Sequence, residues 1–403
     1  MWGAWLTTCF GAFAWLLLAW SLLAIGRTPV RWLWKPAIAA TEWGHWLGWI
    51  ALLAGALGML LGGSLWGVLP ALAAAVLFHT PLLRASIAAR GVERRLVAAL
   101  GDDTGGAPGL RRRAPLTLAS LLHITLPRIE PVRHVYRDVD GLALTLDLYP
   151  AAGAASRPTL VLVVHGGSWN SGSSGQLTGM NRYLAGSGYT VAALNYRLAP
   201  RFRFPAAVED IGAAVRYLEE TMPPEGRGRV VLLGRSSGGH LALLAAYRAV
   251  HPSIRGVVAL YPPTDLVWSW ERPAPGRLMD SNGVIRQFLG GSPEDMPDRF
   301  RAASPIRLVR PGLPPTLLIH GGNDEMVSPL QSRRLARELA RAGARHVHLE
   351  LPWAKHGMDA NLAGPSGQIV LYAVERLLAA VGEESDQPKE STAGFPARVF
   401  PEP

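Results

Sequence analysis

The sequence predicts an α/β fold: a mostly parallel sheet with helices on both faces, preceded by about three transmembrane helices. Three observations carry this expectation. From about Pro131 onward, short apolar runs alternate with helical patterns, the texture of strands joined by crossover helices. Ahead of Pro131 lie two long stretches without a charged side chain, 2–26 and 43–83. Finally, the run Val230-Val231-Leu232-Leu233 ends in a glycine-flanked serine, and a helical pattern starts at once behind it.

At 403 residues the chain has room for two or three ordinary domains. Its net charge of +10 comes almost wholly from arginine, since Lys35, Lys355 and Lys389 are the only lysines. The arginines form no stripe interleaved with aromatics and no nucleic-acid motif is present, which favours an anionic membrane surface over nucleic acid. Cys9 is the single cysteine, so neither an intramolecular disulfide nor a cysteine-based metal site can form.

Residues 1–90 read as a membrane anchor with spans at about 5–25, 43–61 and 65–83, the last two divided by Gly62-Gly63-Ser64. Ten of the fourteen tryptophans fall between Trp2 and Trp66, where interfacial anchors belong. The first stretch lacks a basic leader and a small-residue cleavage site, so it reads as a span rather than a signal peptide. Arg27, Arg31 and Lys35 follow the first span, and Arg84, Arg90, Arg94 and Arg95 follow the third. With three spans both basic flanks share one side, which the positive-inside rule makes cytoplasmic, and the rest of the chain with it. Residues 91–130 read as a basic juxtamembrane segment and linker. Its helical part is either an amphipathic helix on the leaflet or a solvated extension of the last span, and Arg111-Arg112-Arg113 is a second membrane contact.

Within 131–381, residues 134–138 and 142–149 form an opening hairpin turned by Asp140-Gly141. Residues 159–164 are a buried strand running into His165-Gly166-Gly167-Ser168-Trp169, whose glycines either make a plain turn or aim backbone amides at a ligand. A strand at 190–195, a helix at 206–220 holding Asp210 in a structural ion pair or at the surface, the strand before Ser236 and its helix follow in order. Then come strands at 256–260 and 316–319, a helix at 329–342, a strand at 347–351 and a helix at 368–381. Residues 267–311 are a lid, an acyl-pocket wall or ordinary connection. Residues 382–403 read as a disordered tail.

Gly234-Arg235-Ser236-Ser237-Gly238 is a G-x-S-x-G pattern between strand and helix, the context of a nucleophile elbow. The frame selects Ser236, because shifting it by one would put Arg235 where a glycine is required. By itself the pattern is short, and a Gly/Ser loop capping a helix spells the same letters. Asp324 and His356 each sit just past a predicted strand, at the sheet edge that carries the elbow. Their order after Ser236 suits a serine nucleophile, an orienting carboxylate and a histidine base. Asp265 and Asp359 are the rival acids; His320, His346 and His348 are weaker histidines.

Together these pieces resemble the α/β-hydrolase family, and within it the hormone-sensitive-lipase and feruloyl/acetyl-esterase-like carboxylesterases. The likeness rests on residues 165–169, Asn195-Tyr196-Arg197-Leu198-Ala199-Pro200, the segment from Phe204 to Asp210, residues 234–239, the Asp324 loop and His356-Gly357. It implies Ser236 as nucleophile, His356 as base and Asp324 as orienting acid. It implies an oxyanion hole from the amides of Gly166, Gly167 and Ser237, with His165 and Trp169 at the substrate site and no metal or organic cofactor. The chain departs from the lipase-like pattern at Ser168, where a third glycine is usual, and at Arg235, where an acidic residue is usual. The Ser168-Trp169 form leans toward the feruloyl-esterase-like and formamidase-like branch. Arg235 can serve in three ways: pairing with an acid, drawing an anionic substrate, or lying on the surface. The expected function is a membrane-anchored serine hydrolase of a small-molecule, lipophilic ester. An amidase, formamidase or acyltransferase with the same triad, and a non-catalytic ligand-binding fold, are the alternatives.

Overall fold

The computed structural model describes residues 2–101, 110–152, 157–222 and 227–383. Residues 384–403, expected as a disordered tail, lie outside the described residues.

The N-terminal third is helical: α1 (Trp2–Ile25), α2 (Trp34–Glu42), α3 (Gly44–Leu60) and α4 (Leu65–Leu100). α1, α3 and α4 pack on one another through small residues, with Ala14, Ala51, Ala71 and Ala74 buried between them. Outward they present Trp5, Leu16, Trp49, Leu53, Leu69 and Val76. Two of these helices, α1 and α4, are long and apolar enough to cross a membrane; a third span results if the bent pair α2–α3 counts as one. α3 has only 17 residues, about 26 Å of rise, and meets α2 at 83°. α3 thus falls within a residue of the second expected span, 43–61, at each end, and the chain turns sharply into it at Trp43.

α4 continues the last expected span through residues 91–100. It runs unbroken through Pro70 and Pro81 for 36 residues, about 54 Å, well beyond a hydrocarbon layer. Its far half keeps Glu93, Arg94 and Arg95 exposed on one side and packs the other side on the α/β domain. Val92, Leu96 and Leu100, one helical stripe, are buried in the same core as Val370 and Val374 of the last helix. Arg112 is also buried rather than membrane-facing: its Nη2 donates to Gln368 Oε1 at 2.7 Å and its amide to Glu375 Oε2 at 3.1 Å. Arg111 lies over the Tyr183 ring.

After the short α5 (Leu118–Leu122) come the strands β1 (Val132–Val139), β2 (Leu142–Tyr149), β3 (Leu160–Val164), β4 (Thr190–Leu194), β5 (Val230–Arg235), β6 (Ile254–Leu260), β7 (Thr316–Gly321) and β8 (His346–Leu351). They make one eight-stranded sheet in the order β1-β2-β4-β3-β5-β6-β7-β8. β1 and β2 pair antiparallel, β2 joins β4 antiparallel, and every later pairing is parallel. The crossovers carry α6 (Thr178–Ala185), α7 (Ala206–Thr221), α8 (Ser237–Tyr247), α9 (Leu266–Glu271), α10 (Ser281–Leu289), α11 (Pro297–Ala302) and α12 (Leu330–Arg341); α13 (Pro365–Glu383) closes the chain. Every residue of β3 and β5 is buried, as expected of strands covered on both faces. Asp210 is fully buried in α7, bonded to Arg197 and Arg137, which is the structural role expected of it.

Candidate active site

β5 and α8 meet at Ser236, whose φ of 53° and ψ of −122° are a strained combination for a residue with a Cβ. The turn is this tight because its glycines allow it. A Cβ on Gly234 would lie 2.2 Å from Gly238 O, and one on Gly238 would lie 2.2 Å from Val164 O. The serine hydroxyl is thereby lifted clear of the sheet edge. His356 Nε2 is 3.0 Å from Ser236 Oγ, and His356 Nδ1 is 2.7 Å from Asp324 Oδ2. An acceptor-only carboxylate at Nδ1 fixes the proton there, leaving Nε2 to accept from the serine hydroxyl. The other Asp324 oxygen accepts the amides of Met326 and Val327. Burial alone would raise the Asp324 carboxyl, but His356 and His320 outweigh it and hold the group well below the ordinary carboxylate range. His320 sits behind the loop, fully buried, with its ring on Ser332 Oγ and Val327 O.

The rival acids have other work. Asp265 caps α9 through the Trp268 amide and pairs with Arg334. Asp359 pairs with Arg235 in a fully buried contact and accepts a 2.5 Å bond from Tyr261 Oη, and the Tyr261 ring packs edge-on against His356. Of the three roles open to Arg235, the acidic partner is the one realised.

The loop after β3 corrects two expected site residues. Gly166 does not offer its amide to the site, because that N–H donates to Gln176 Oε1 at 2.9 Å. What Gly166 supplies is closeness: a Cβ there would lie 3.0 Å from Arg235 O. At Gly167 the carbonyl accepts from the amides of Asn170 and Ser171 and from Ser171 Oγ. A trans peptide plane then turns the Ser168 N–H the opposite way, and Ser168 borders the cavity above Ser236. Ser237, at the first position of α8, has an amide with no partner inside the helix. Of the amides in this region, that of Gly166 is engaged, while Ser168 and Ser237 border the cavity. His165 likewise does not line the cavity. It is buried, stacked on Tyr196 at 4.3 Å, and donates from Nδ1 to Gly166 O. Trp169 does line it, stacked on Phe288 at 4.7 Å.

The cavity has a volume of about 370 Å³. Residues 267–311 supply much of its apolar wall, including Trp268, Met279, Val284 and Ile285, so this segment is a pocket wall. Trp169 Nε1 donates to His240 Nδ1 at 3.1 Å, and His240 Nε2 lies 2.7 Å from Ala303 O. A donor-only indole on one side and a carbonyl on the other require a neutral His240. Burial lowers its pKa to about 4, and that of His165 also to about 4. Between about pH 6.5 and 4 the unfolded chain therefore takes up protons that the folded one refuses, so stability falls as pH falls. The two groups together should give a slope of about 2–3 kcal/mol per pH unit at the centre of that window. Denaturant midpoints measured from pH 7 to pH 4 check this, and a flat profile there would contradict it.

Unanticipated neighbours complete the site. The segment between α1 and α2 lies on the acid and base loops: Thr28 N–H donates to Glu325 Oε2 at 2.6 Å, Trp34 Nε1 to His356 O at 3.1 Å, and Lys355 Nζ to Gly26 O at 2.9 Å. Nothing in the local sequence of residues 26–34 signals these contacts, which span about 300 positions.

A hydroxyl bonded to a carboxylate-oriented imidazole, beside inward amides, can attack an acyl carbon and have the resulting oxyanion stabilised. Residues 146–339 match the family model described as BD-FAE. Esterase LipC of Mycobacterium tuberculosis is 32% identical over 238 residues, 55% of this chain and 58% of the relative, so the chain spans little more than half that protein's length. An acetyl-hydrolase of Streptomyces hygroscopicus is 35% identical over 209 residues, 49% of this chain and 67% of the relative. A hyperthermophilic esterase from Pyrobaculum calidifontis superposes with a TM-score of 0.54 at 23% identity, covering 74% of this chain and 97% of the other, a likeness of fold. The chain belongs to the α/β-hydrolase family, among the hormone-sensitive-lipase-like carboxylesterases.

Proposed function

We propose that the chain is a serine hydrolase of carboxylic esters, held at a membrane by its N-terminal helices. The observation that carries this is the chain of hydrogen bonds from Asp324 through His356 to Ser236, at the floor of a cavity. Ser236 Oγ would attack the ester carbonyl as His356 takes its proton. The oxyanion would rest on the amides of Gly167, Ser168 and Ser237, roughly 3 kcal/mol per donor. Collapse breaks the acyl–alkoxy bond, and His356 returns the proton to the leaving alcohol. Water, deprotonated by the same imidazole, then frees the acid and restores Ser236. Asp324 keeps the ring oriented and the imidazolium stable.

A cavity of about 370 Å³ is near the small end of ligand sites and suits a short acyl group. One relative bears the name acetyl-hydrolase, which agrees with that size. The basic residues 27–35 and 84–95 flank the apolar helices, and the positive-inside rule then puts the catalytic part in the cytoplasm.

The test uses the full-length protein in detergent or nanodiscs with aryl esters of increasing acyl length and the matching anilides. Turnover should be highest for acetyl to butyryl esters, with anilides slower by at least about a hundredfold. Faster anilide cleavage would make the protein an amidase, and no turnover of either would end the hydrolase reading. Protease added to intact cells should leave the activity intact; its loss would reverse the orientation.

A further inference from the structure

Arg27 lines the same cavity as Ser236 and His356, although it comes from the N-terminal helices rather than from the α/β domain. The other charged groups on the walls near it are engaged. Glu325 accepts from Arg277 at 2.7 Å with one oxygen and from the Thr28 amide with the other. Arg272 pairs with Glu271 at 2.9 Å and lies over the Trp268 ring. Arg27 makes no ion pair among the described residues and its side chain is exposed. An unpartnered guanidinium in a cavity with an apolar wall is a site for an anion.

Its position in the chain says where that anion would come from. Arg27 is two residues past Ile25, the last residue of α1, so it lies within about 7 Å of the helix end even if the chain is fully extended. The backbone here is pinned rather than loose: Gly26 O accepts from Lys355 and Asn323, and Thr28 O from Arg277. If α1 crosses the bilayer, the mouth of the cavity is at headgroup depth.

We propose that Arg27 is a specificity-determining residue that binds an anionic group of the substrate, and that the substrate is an amphiphile presenting a short acyl ester beside that anion at the bilayer surface. This rests on the ester-hydrolase reading above. The cavity takes the acyl group, the guanidinium takes the phosphate or carboxylate, and the alkyl body stays in the membrane.

Three acetyl esters test it on the full-length protein in nanodiscs: a neutral aryl acetate, the same ester bearing a remote carboxylate, and a vesicle-borne acetylated amphiphile with a phosphate group. In Arg27→Gln the ratio of kcat/KM for the carboxylate ester to that for the neutral ester should fall about fivefold, mostly through KM. Arg27→Lys should restore part of it, and the vesicle-borne ester should lose rate in parallel. An unchanged ratio, or an equal fall in Arg31→Gln, overturns the proposal, the latter because it reports diffuse surface charge. A fall for the soluble carboxylate ester alone overturns the bilayer source of the substrate. If the wild type hydrolyses none of the three, the ester-hydrolase reading itself fails, and this proposal with it.

Discussion

Ser236→Ala will lower kcat for a neutral aryl ester by at least about ten-thousand-fold and will abolish labelling by a fluorophosphonate. The size follows from what the substitution removes. Ser236 Oγ is the atom 3.0 Å from His356 Nε2, and without it the imidazole and the inward amides have no nucleophile to act with. The fold should be unaffected, because alanine keeps the Cβ that the turn already accommodates at φ 53° and the sheet contacts of β5 are untouched. Unchanged denaturant midpoints together with lost turnover are therefore the expected pair of results. Labelling that survived in Ser236→Ala and vanished in Ser237→Ala would move the nucleophile one residue on and refute the frame read from Gly234 and Gly238.

The parts of this site that the sequence revealed are those encoded locally. The elbow needs small residues within two positions of the serine, and Gly234 and Gly238 stand there in plain view. The β-branched runs that become β3 and β5 mark buried strands, and the polar residues directly behind β7 and β8 fall at one sheet edge by topology alone. Hidden from sequence were the features set by distant partners or by backbone orientation. Gly166 and Ser168 look alike as amide donors until Gln176 is found on the first and Ser171 is found holding the carbonyl of Gly167. α6 gives no start signal, since Leu177 before it is in left-handed backbone and caps nothing. The far half of α4 reads as a basic surface helix because Arg90, Arg94 and Arg95 dominate its composition. Its buried stripe is only three residues long and its partner, α13, lies some 280 positions away.

Arg235→Met will destabilise the protein by about 3–5 kcal/mol, the largest stability loss expected of any single change near the site. Arg235 is 2% exposed and Asp359 likewise 2%, so removing the guanidinium leaves a carboxylate in the interior with Tyr261 Oη as its remaining side-chain donor. Placing a charge there without its partner costs far more than the pair itself contributes, which is why the loss should be large although the ion pair's net contribution is modest. The double variant Arg235→Met with Asp359→Asn should then recover much of the stability, since it no longer buries an unpaired charge. Denaturant midpoints for wild type, both single variants and the double variant give the coupling directly. The same cycle has a kinetic side. Asp359 holds Tyr261, and the Tyr261 ring packs 4.6 Å from His356 by centroids, so losing the pair should lower kcat more than it raises KM. A coupling energy below about 1 kcal/mol would mean that the interior tolerates a lone Asp359, as a solvated or surface pair would. Arg235 would then have to act on the substrate, the role its complete burial argues against.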